Sequence, residues 1–485
     1  MDLAFRPAGE LARMIRDKEI SAAALLEHYL ERLGRFNPAL NAVVATDLDA
    51  ARARAREADA ALARGELWGP LHGVPMTIKD TFEVVGMPTT AGAPAYKDHR
   101  PQNNAVAVQR LLDAGAVVFG KTNVPLFAGD LQSYNDVYGT TNNPWNLSRT
   151  PGGSSGGAAA ALAAGLCALE LGSDIGGSIR TPANFCGVCG HKPSYGLIPA
   201  RGHIPGPPGS LHKADIGVMG PLARYVDDLA LALDILAGPD SDEAVGWKLQ
   251  LPAARHQRLT DFRVAAWLDD PACPIDAEVV ATLRGVAERL RAEGVAVDEQ
   301  ARPAGIELEQ SHEVYYSLLT ATMGAGLPPK AFETMVRTAA EAAPDDRRYT
   351  VRFARGAVQR HAQWLQTDER RQQMRRAWAE FFRRYDALLA PATHTLPFPH
   401  DHSNPIGDRV LPINGQPRPY MDVLVWAGLG GVVYLPATVV PVGRSRDGLP
   451  IGIQIIGPYL EDRTTLAFAK HLERLLGGFT PPPGY

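Results

Sequence analysis

Apolar positions recur with the period of amphipathic helices through residues 7–17, 21–36 and 48–64, and Ser21 stands where the second helix needs an N-cap. Beyond them the pattern tightens. Val74 to Lys79 is an almost unbroken apolar run, which predicts a buried strand leading into a loop. A helix over 105–114, a strand over 116–119, a tightly packed helix over 155–165 and a strand over 167–171 follow. Alternation of this kind predicts an α/β layered core.

From about Val245 the character changes. Residues 276–293 form an amphipathic helix, and Val295-Ala-Val297 completes a returning βα unit. Residues 307–384 have a helical composition, with Tyr315, Tyr316, Phe332, Trp364 and Trp378 scattered along them as core or pocket-lining rings. The runs 386–391 and 448–457 then read as buried strands returning to the sheet, and 396–419, rich in Pro, Asn, His and Gly, as an exposed loop. No repeat or disordered linker interrupts the chain. The expectation is therefore one domain over 1–485. Its parts are a helical segment (1–65), a catalytic core (66–240), a mainly helical insertion shaping a pocket (245–385) and C-terminal strands and helix completing the sheet (386–485).

Composition narrows the function. The 485 residues, 45% hydrophobic and 21% charged, are ordinary for a globular protein, and a net charge of −4 offers no basic field for nucleic acid or anionic lipid. The arginine pairs 347–348, 370–371 and 375–376 lie among acids and read as solvated helix faces. Four cysteines make no disulfide framework, and Cys186-Gly-Val-Cys189 has no second pair to complete a zinc site. Residues 1–20 lack the apolar core of a signal peptide, and 158–169 is too short for a membrane span. A cytoplasmic protein is expected.

The chemistry concentrates in Pro151 to Pro182, PGGSSGGAAAALAAGLCALELGSDIGGSIRTP, where eight glycines surround Ser154-Ser155 and Ser178. Hydroxyls beside bare backbone N–H groups are the parts needed to attack a carbonyl and hold the oxyanion that results. Such a serine needs a base. His72 and His191 sit in no triad context and read as packed or surface residues. Lys79 ends an apolar strand, where burial disfavours the ammonium and would let the amine accept a proton; the alternative is a surface lysine paired with Asp80.

GVPMTIKD around Lys79, the GGSSGG loop and GSDIGGSIR together resemble the amidase signature family. Lys79 and Ser154 are 75 residues apart, and Ser154 and Ser178 are 24 apart, separations of the size that family uses. KTNVP at 121–125, NPW at 143–145, FCGV at 185–188 and KPSYG at 192–196 extend the likeness. It is strong over 71–224 and looser over 448–457. The resemblance implies an α/β fold: a central mixed, twisted β-sheet covered on both faces by α-helices, with a helical insertion. It implies Ser178 as nucleophile, Ser154 after a cis peptide bond as proton relay, and Lys79 as base. Ile175, Gly176, Gly177 and Ser178 would supply the oxyanion hole, with Ser155, Asp174 and Arg180 in support. The implied reaction is hydrolysis of a small-molecule amide through an acyl-enzyme, with water as second substrate and no metal or cofactor.

Rival motifs are weaker. Gly152 to Gly156 fits the G-x-S-x-G elbow but follows a turn-like stretch rather than a strand, and Ser210-Leu-His-Lys213 fits S-x-x-K without its partner motifs. Within the family, the glutamine-hydrolysing subunit of a tRNA-dependent amidotransferase is the alternative. That subunit usually carries a Leu-Asp-Gln run where this chain reads His203-Ile-Pro-Gly-Pro-Pro208, which favours a stand-alone hydrolase, with a homodimer compatible. An inactive scaffold is disfavoured by Lys79, Ser154 and Ser178 occurring together. Gly129, Asp130, Leu131 and Gln132 are expected to border the pocket and Trp426 to help wall it, for an apolar acyl or aryl group.

Overall fold

The computed structural model describes residues 2–204 and 206–485. Fifteen strands occur among them: β1 (Val43–Thr46), β2 (Pro75–Lys79), β3 (Val117–Thr122), β4 (Tyr134–Asn135), β5 (Gly139–Thr140), β6 (Glu170–Asp174), β7 (Cys189–Lys192), β8 (Val218–Ala223), β9 (Arg263–Ala266), β10 (Ala296–Asp298), β11 (Ala387–Pro391), β12 (Val410–Ile413), β13 (Gln416–Pro419), β14 (Ala437–Arg444) and β15 (Pro450–Ile456). Eleven of them form one sheet in the order β1-β3-β2-β6-β8-β7-β14-β15-β11-β9-β10. The sheet is mixed: β2 runs parallel to β3 and β6, whereas β6–β8, β7–β8 and β14–β15 are antiparallel. Every residue of β2, β6, β7, β8, β11 and β15 is buried. Strands with no exposed position must be covered on both faces, and helices supply the cover.

Local signals account for much of this. Ser21 caps the helix Ala22–Leu40, its Oγ accepting from the Ala24 N–H at 3.0 Å. The strand over 167–171 lies further on, at Glu170–Asp174, because the polar Ser173 and Asp174 find partners inside the protein and extend it. The 307–384 stretch forms four helices, Leu308–Gly324, Pro329–Glu341, Tyr349–Ala357 and His361–Phe381. Of its rings, Tyr315 and Trp378 are core, Tyr316 is buried against the pocket described below, and Phe332 is exposed.

Two expectations need correction. Residues 396–419 are not simply an exposed loop: Phe398 is buried edge-on against Phe185 and Tyr420, Arg409 is buried, and β12 and β13 pair as a hairpin. Arg371 leaves the expected solvated face. It is 2% exposed, bonds Asp215 and Asp368, and stacks over Tyr434, because a guanidinium can satisfy two carboxylates and a ring at once. Cys186 and Cys189 are packed thiols whose Sγ atoms donate to different carbonyls, those of Pro151 and Arg224. No helix among the described residues is long and apolar enough to cross a membrane.

Candidate active site

Strand β2 carries Lys79 to the end of the sheet and buries it completely. Its Nζ donates to Ser154 Oγ at 2.7 Å, to Ser173 Oγ at 3.0 Å and to the Ser173 carbonyl at 3.4 Å. All three acceptors are neutral. Burial pushes the lysine pKa down to about 7, against the pull of Asp174 and Glu170 toward the charged form. The surface pairing with Asp80 does not occur, since Asp80 binds Lys121 at 3.2 Å.

The Gly153–Ser154 peptide bond is cis. A Cβ at Gly153 would stand 2.6–2.8 Å from backbone atoms of Gln132, Leu131 and Asp130, so only glycine lets the serine loop lie against that segment. Ser133 braces the same loop, its Oγ donating to the Gly152 carbonyl at 3.1 Å and accepting from the Gly156 N–H at 3.0 Å. Ser155 joins the two serine sites. Its N–H donates to the Ser178 carbonyl at 3.1 Å, and its hydroxyl to the Ser173 carbonyl at 3.4 Å.

Asp174, at the end of β6, organises the loop that holds Ser178. Its carboxylate accepts from the N–H groups of Gly177 at 2.8 Å and Ile179 at 3.1 Å, and from Arg180 at 2.8 and 3.0 Å. Burial would raise its pKa, but Arg180 outweighs that and holds the carboxyl far below the usual range. Arg180 reaches on to the Ala427 carbonyl and Gln454, tying the loop to the helix Val423–Gly431 and to β15. Of the four N–H groups expected to meet an oxyanion, that of Gly177 is given to Asp174, whereas those of Ile175, Gly176 and Ser178 have no hydrogen-bond acceptor among the described residues. A Cβ on Gly176 would meet Leu424 at 2.8 Å and the Tyr315 hydroxyl at 3.0 Å, so glycine is required there too.

Ser178 opens onto a cavity of about 50 Å³. Gly129, Asp130 and Leu131 border it as expected, beside Ile175 and Gly176. Its far wall comes from the helical stretch, through Tyr316, Leu319, Met323 and Phe353, and from Leu424. Trp426 does not wall it. It stands two residues on from Leu424, so helix phase turns its ring away into the core, edge-on to Trp267, with Nε1 3.4 Å from the Cys273 carbonyl. Nor does Gln132 border it: the amide is spent on the Asp401 backbone, at 2.6 and 3.1 Å.

Asp130 lies at the centre of a polar network that no sequence pattern announces. Arg409 donates to it at 2.7 Å, Tyr134 at 2.9 Å and Tyr420 at 2.5 Å, with both ionic side chains buried. No fixed spacing links 130 to 409, so no motif could reveal the pair; Ser133 and Ser173 also escape sequence reasoning, although Ser173 lies inside GSDIGGS. Arg409→Met leaves the Asp130 carboxylate buried without its cation. We expect the fold to lose about 3–5 kcal/mol in chemical denaturation, with Asp130→Asn restoring part of the loss.

His72 and His191 are satisfied core histidines. One lies between the Trp68 N–H and the Ala58 carbonyl, the other between Thr438 and Asp462. The G-x-S-x-G stretch has no preceding strand, and Lys213 pairs with Glu243 at the surface.

The family model described as Amidase matches residues 24–466. The chain belongs to the amidase family. Its chemistry is cleavage of amide C–N bonds, and its mixed eleven-stranded sheet is the amidase signature fold. It is 33% identical to a glutamyl-tRNA(Gln) amidotransferase subunit of Anaeromyxobacter sp. (strain K), over 98% of this chain and 99% of that one. Among solved structures it resembles a bacterial aryl acylamidase of the amidase signature enzymes (26% identity, TM-score 0.81, 97% of this chain and 96% of that one). It also resembles a chain from a vestigial protein complex bearing on the origins of an s-triazine catabolic enzyme (29% identity, TM-score 0.80, 98% and 100%).

Proposed function

We propose that the protein cleaves a carboxylic amide through an acyl-enzyme on Ser178, with Ser154 passing the proton to Lys79. One observation carries this reading: a wholly buried lysine whose pKa falls to about 7 donates to Ser154 at 2.7 Å, while Ser178 opens onto the pocket beside unengaged backbone N–H groups. Ser178 Oγ attacks the carbonyl and its proton moves through Ser154 to the neutral Lys79 amine. The N–H groups of Ile175, Gly176 and Ser178 receive the oxyanion. The C–N bond breaks as the departing nitrogen takes the proton back along the same route, and water then releases the acid.

Two readings of the substrate have support. The apolar wall of Leu319, Met323, Phe353 and Leu424 suits a small-molecule amide with an apolar acyl or aryl group, handled by the chain alone or as a homodimer. The name carried by the amidotransferase relative favours the second, a glutamine-hydrolysing subunit that works with partner chains, and it weighs more than the missing Leu-Asp-Gln run. Arg352 fits that reading. Its guanidinium stacks 4.6 Å over Tyr316 at the pocket wall and forms no ion pair among the described residues, while Asp422 nearby is held by Arg418 at 2.8 Å. An unpaired guanidinium there could receive a substrate carboxylate.

Purified protein assayed alone on aliphatic, aryl and amino-acid amides, glutamine included, separates the two. Turnover of apolar amides with Arg352→Met unaffected supports the first. Glutamine turnover that loses at least tenfold in kcat/KM with Arg352→Met supports the second. Failure on every amide, in the presence of candidate partner chains as well, would overturn the proposal.

A further inference from the structure

Behind Lys79 lies a carboxyl group that the mechanism above does not use. In the parallel pairing of β2 with β6, Glu170 stands beside Thr77, and Lys79 lies two residues further along the same face of β2. Glu170 is 1% exposed. Neither of its carboxyl oxygens is placed to accept a well-formed hydrogen bond among the described residues, although the hydroxyls of Thr77 and Thr122 flank it closely enough to pull its pKa down.

The other ionisable groups around this pair are either paired or kept neutral by burial. On β3, Lys121 is held by Asp80, by the Phe82 carbonyl and by Thr89. Asp174 belongs to Arg180. Cys167, ahead of β6, is a buried thiol whose pKa burial pushes up to about 12. His203, across from Lys79, is driven down to about 3 by burial and is a neutral imidazole. Lys79 and Glu170 alone lack a fixed counter-charge. They do not bond each other, since the lysine's hydrogen bonds go to Ser154 and Ser173.

A carboxylate with no cation paired to it in a dry interior is costly, and so is an ammonium among neutral acceptors. The geometry therefore favours the pair with both members uncharged. We propose that Glu170 is a positioning residue for proton transfer, a carboxylic acid kept protonated behind Lys79 whose ionisation governs how readily the lysine gives up its proton. This rests on Lys79 being the base. Burial raises the Glu170 pKa to about 8, with Thr77, Thr122 and Lys79 pulling the other way, so the two groups titrate over the same range and as a coupled pair. Each proton lost from Glu170 strengthens the hold of Lys79 on its own.

The test is the pH profile of kcat/KM for Glu170→Gln. With no charge able to form behind the lysine, the acid limb should move down by about half to one pH unit and sharpen to a single-proton titration, with the plateau kcat within about threefold of wild type. A midpoint that stays in place or moves up overturns the proposal. Thermal unfolding gives a second readout, open to Glu170→Met as well if the glutamine variant folds poorly. A carboxyl whose folded pKa is raised above its unfolded value withdraws stability as pH rises through that interval. The variant's advantage in Tm over wild type should therefore grow from about pH 5 to pH 8, and a difference that does not vary with pH contradicts the assignment. If Lys79→Met retained wild-type activity, the underlying reading of Lys79 would fail, which is a separate result.

Discussion

Ser178→Ala is expected to give a folded protein whose kcat for amide hydrolysis is lower by on the order of 10⁵–10⁶. Ser178 is the serine that lines the pocket, and the N–H groups of Ile175, Gly176 and Ser178 itself have no acceptor among the described residues. Thr320 also lines the cavity, but its hydroxyl is spent on the Tyr316 carbonyl at 2.7 Å, so no second nucleophile takes over. Stability should barely change. The structural contact of Ser178 is its carbonyl with the Ser155 N–H, which alanine keeps. Steady-state kinetics with a thermal melt checks both parts. Retention of a tenth of wild-type activity would remove Ser178 from the mechanism.

Lys79→Met is expected to act in opposite directions on rate and stability. General-base catalysis is worth roughly 10²–10⁴, and the variant lacks the amine that takes the Ser154 proton in the proposed mechanism, so kcat/KM should fall by at least that much. In wild type, kcat/KM should rise through about pH 7 as the lysine becomes neutral. The stability sign follows from the same shift. Lys79 has a folded pKa near 7 and an unfolded pKa near 10.5, so over that interval the unfolded chain binds the extra proton. Wild-type stability is therefore penalised fully below about pH 7, less as pH rises, and not at all above about pH 10.5, a penalty on the order of a few kcal/mol. Methionine carries no such penalty. The variant should melt above wild type at pH 6 and lose that advantage by pH 10. Equal gaps at the two pH values would mean that Lys79 is not held as a depressed-pKa amine.

How much of this is legible in the sequence depends on whether the cause is local. The helix cap at Ser21, the apolar run ending in Lys79 and the glycine-wrapped serines are local, and each lies where the residues indicate. The strand at 170–174 is displaced from its expected place because Ser173 and Asp174 read as turn residues until Lys79 and Arg180, the first of them distant in sequence, satisfy them. Trp426 misleads for a different reason: a large ring near a glycine-rich stretch suits a pocket wall, but helix phase puts Leu424 there instead. Asp130 with Arg409 is invisible, since a buried pair 279 residues apart leaves no periodicity. Gly177 reads as an oxyanion donor because its position in the motif carries no record of Asp174 curling back to take its N–H.

In the proposed mechanism Ser178 carries the acyl group while Ser154 only relays a proton. Incubation with an irreversible, amide-mimicking phosphonylating reagent, followed by intact-mass and peptide-mapping measurements, tests it directly. One adduct per chain is expected, on Ser178, lost in Ser178→Ala and formed much more slowly in Lys79→Met. An adduct on Ser154 or Ser155, or undiminished labelling of the Ser178→Ala protein, would contradict it.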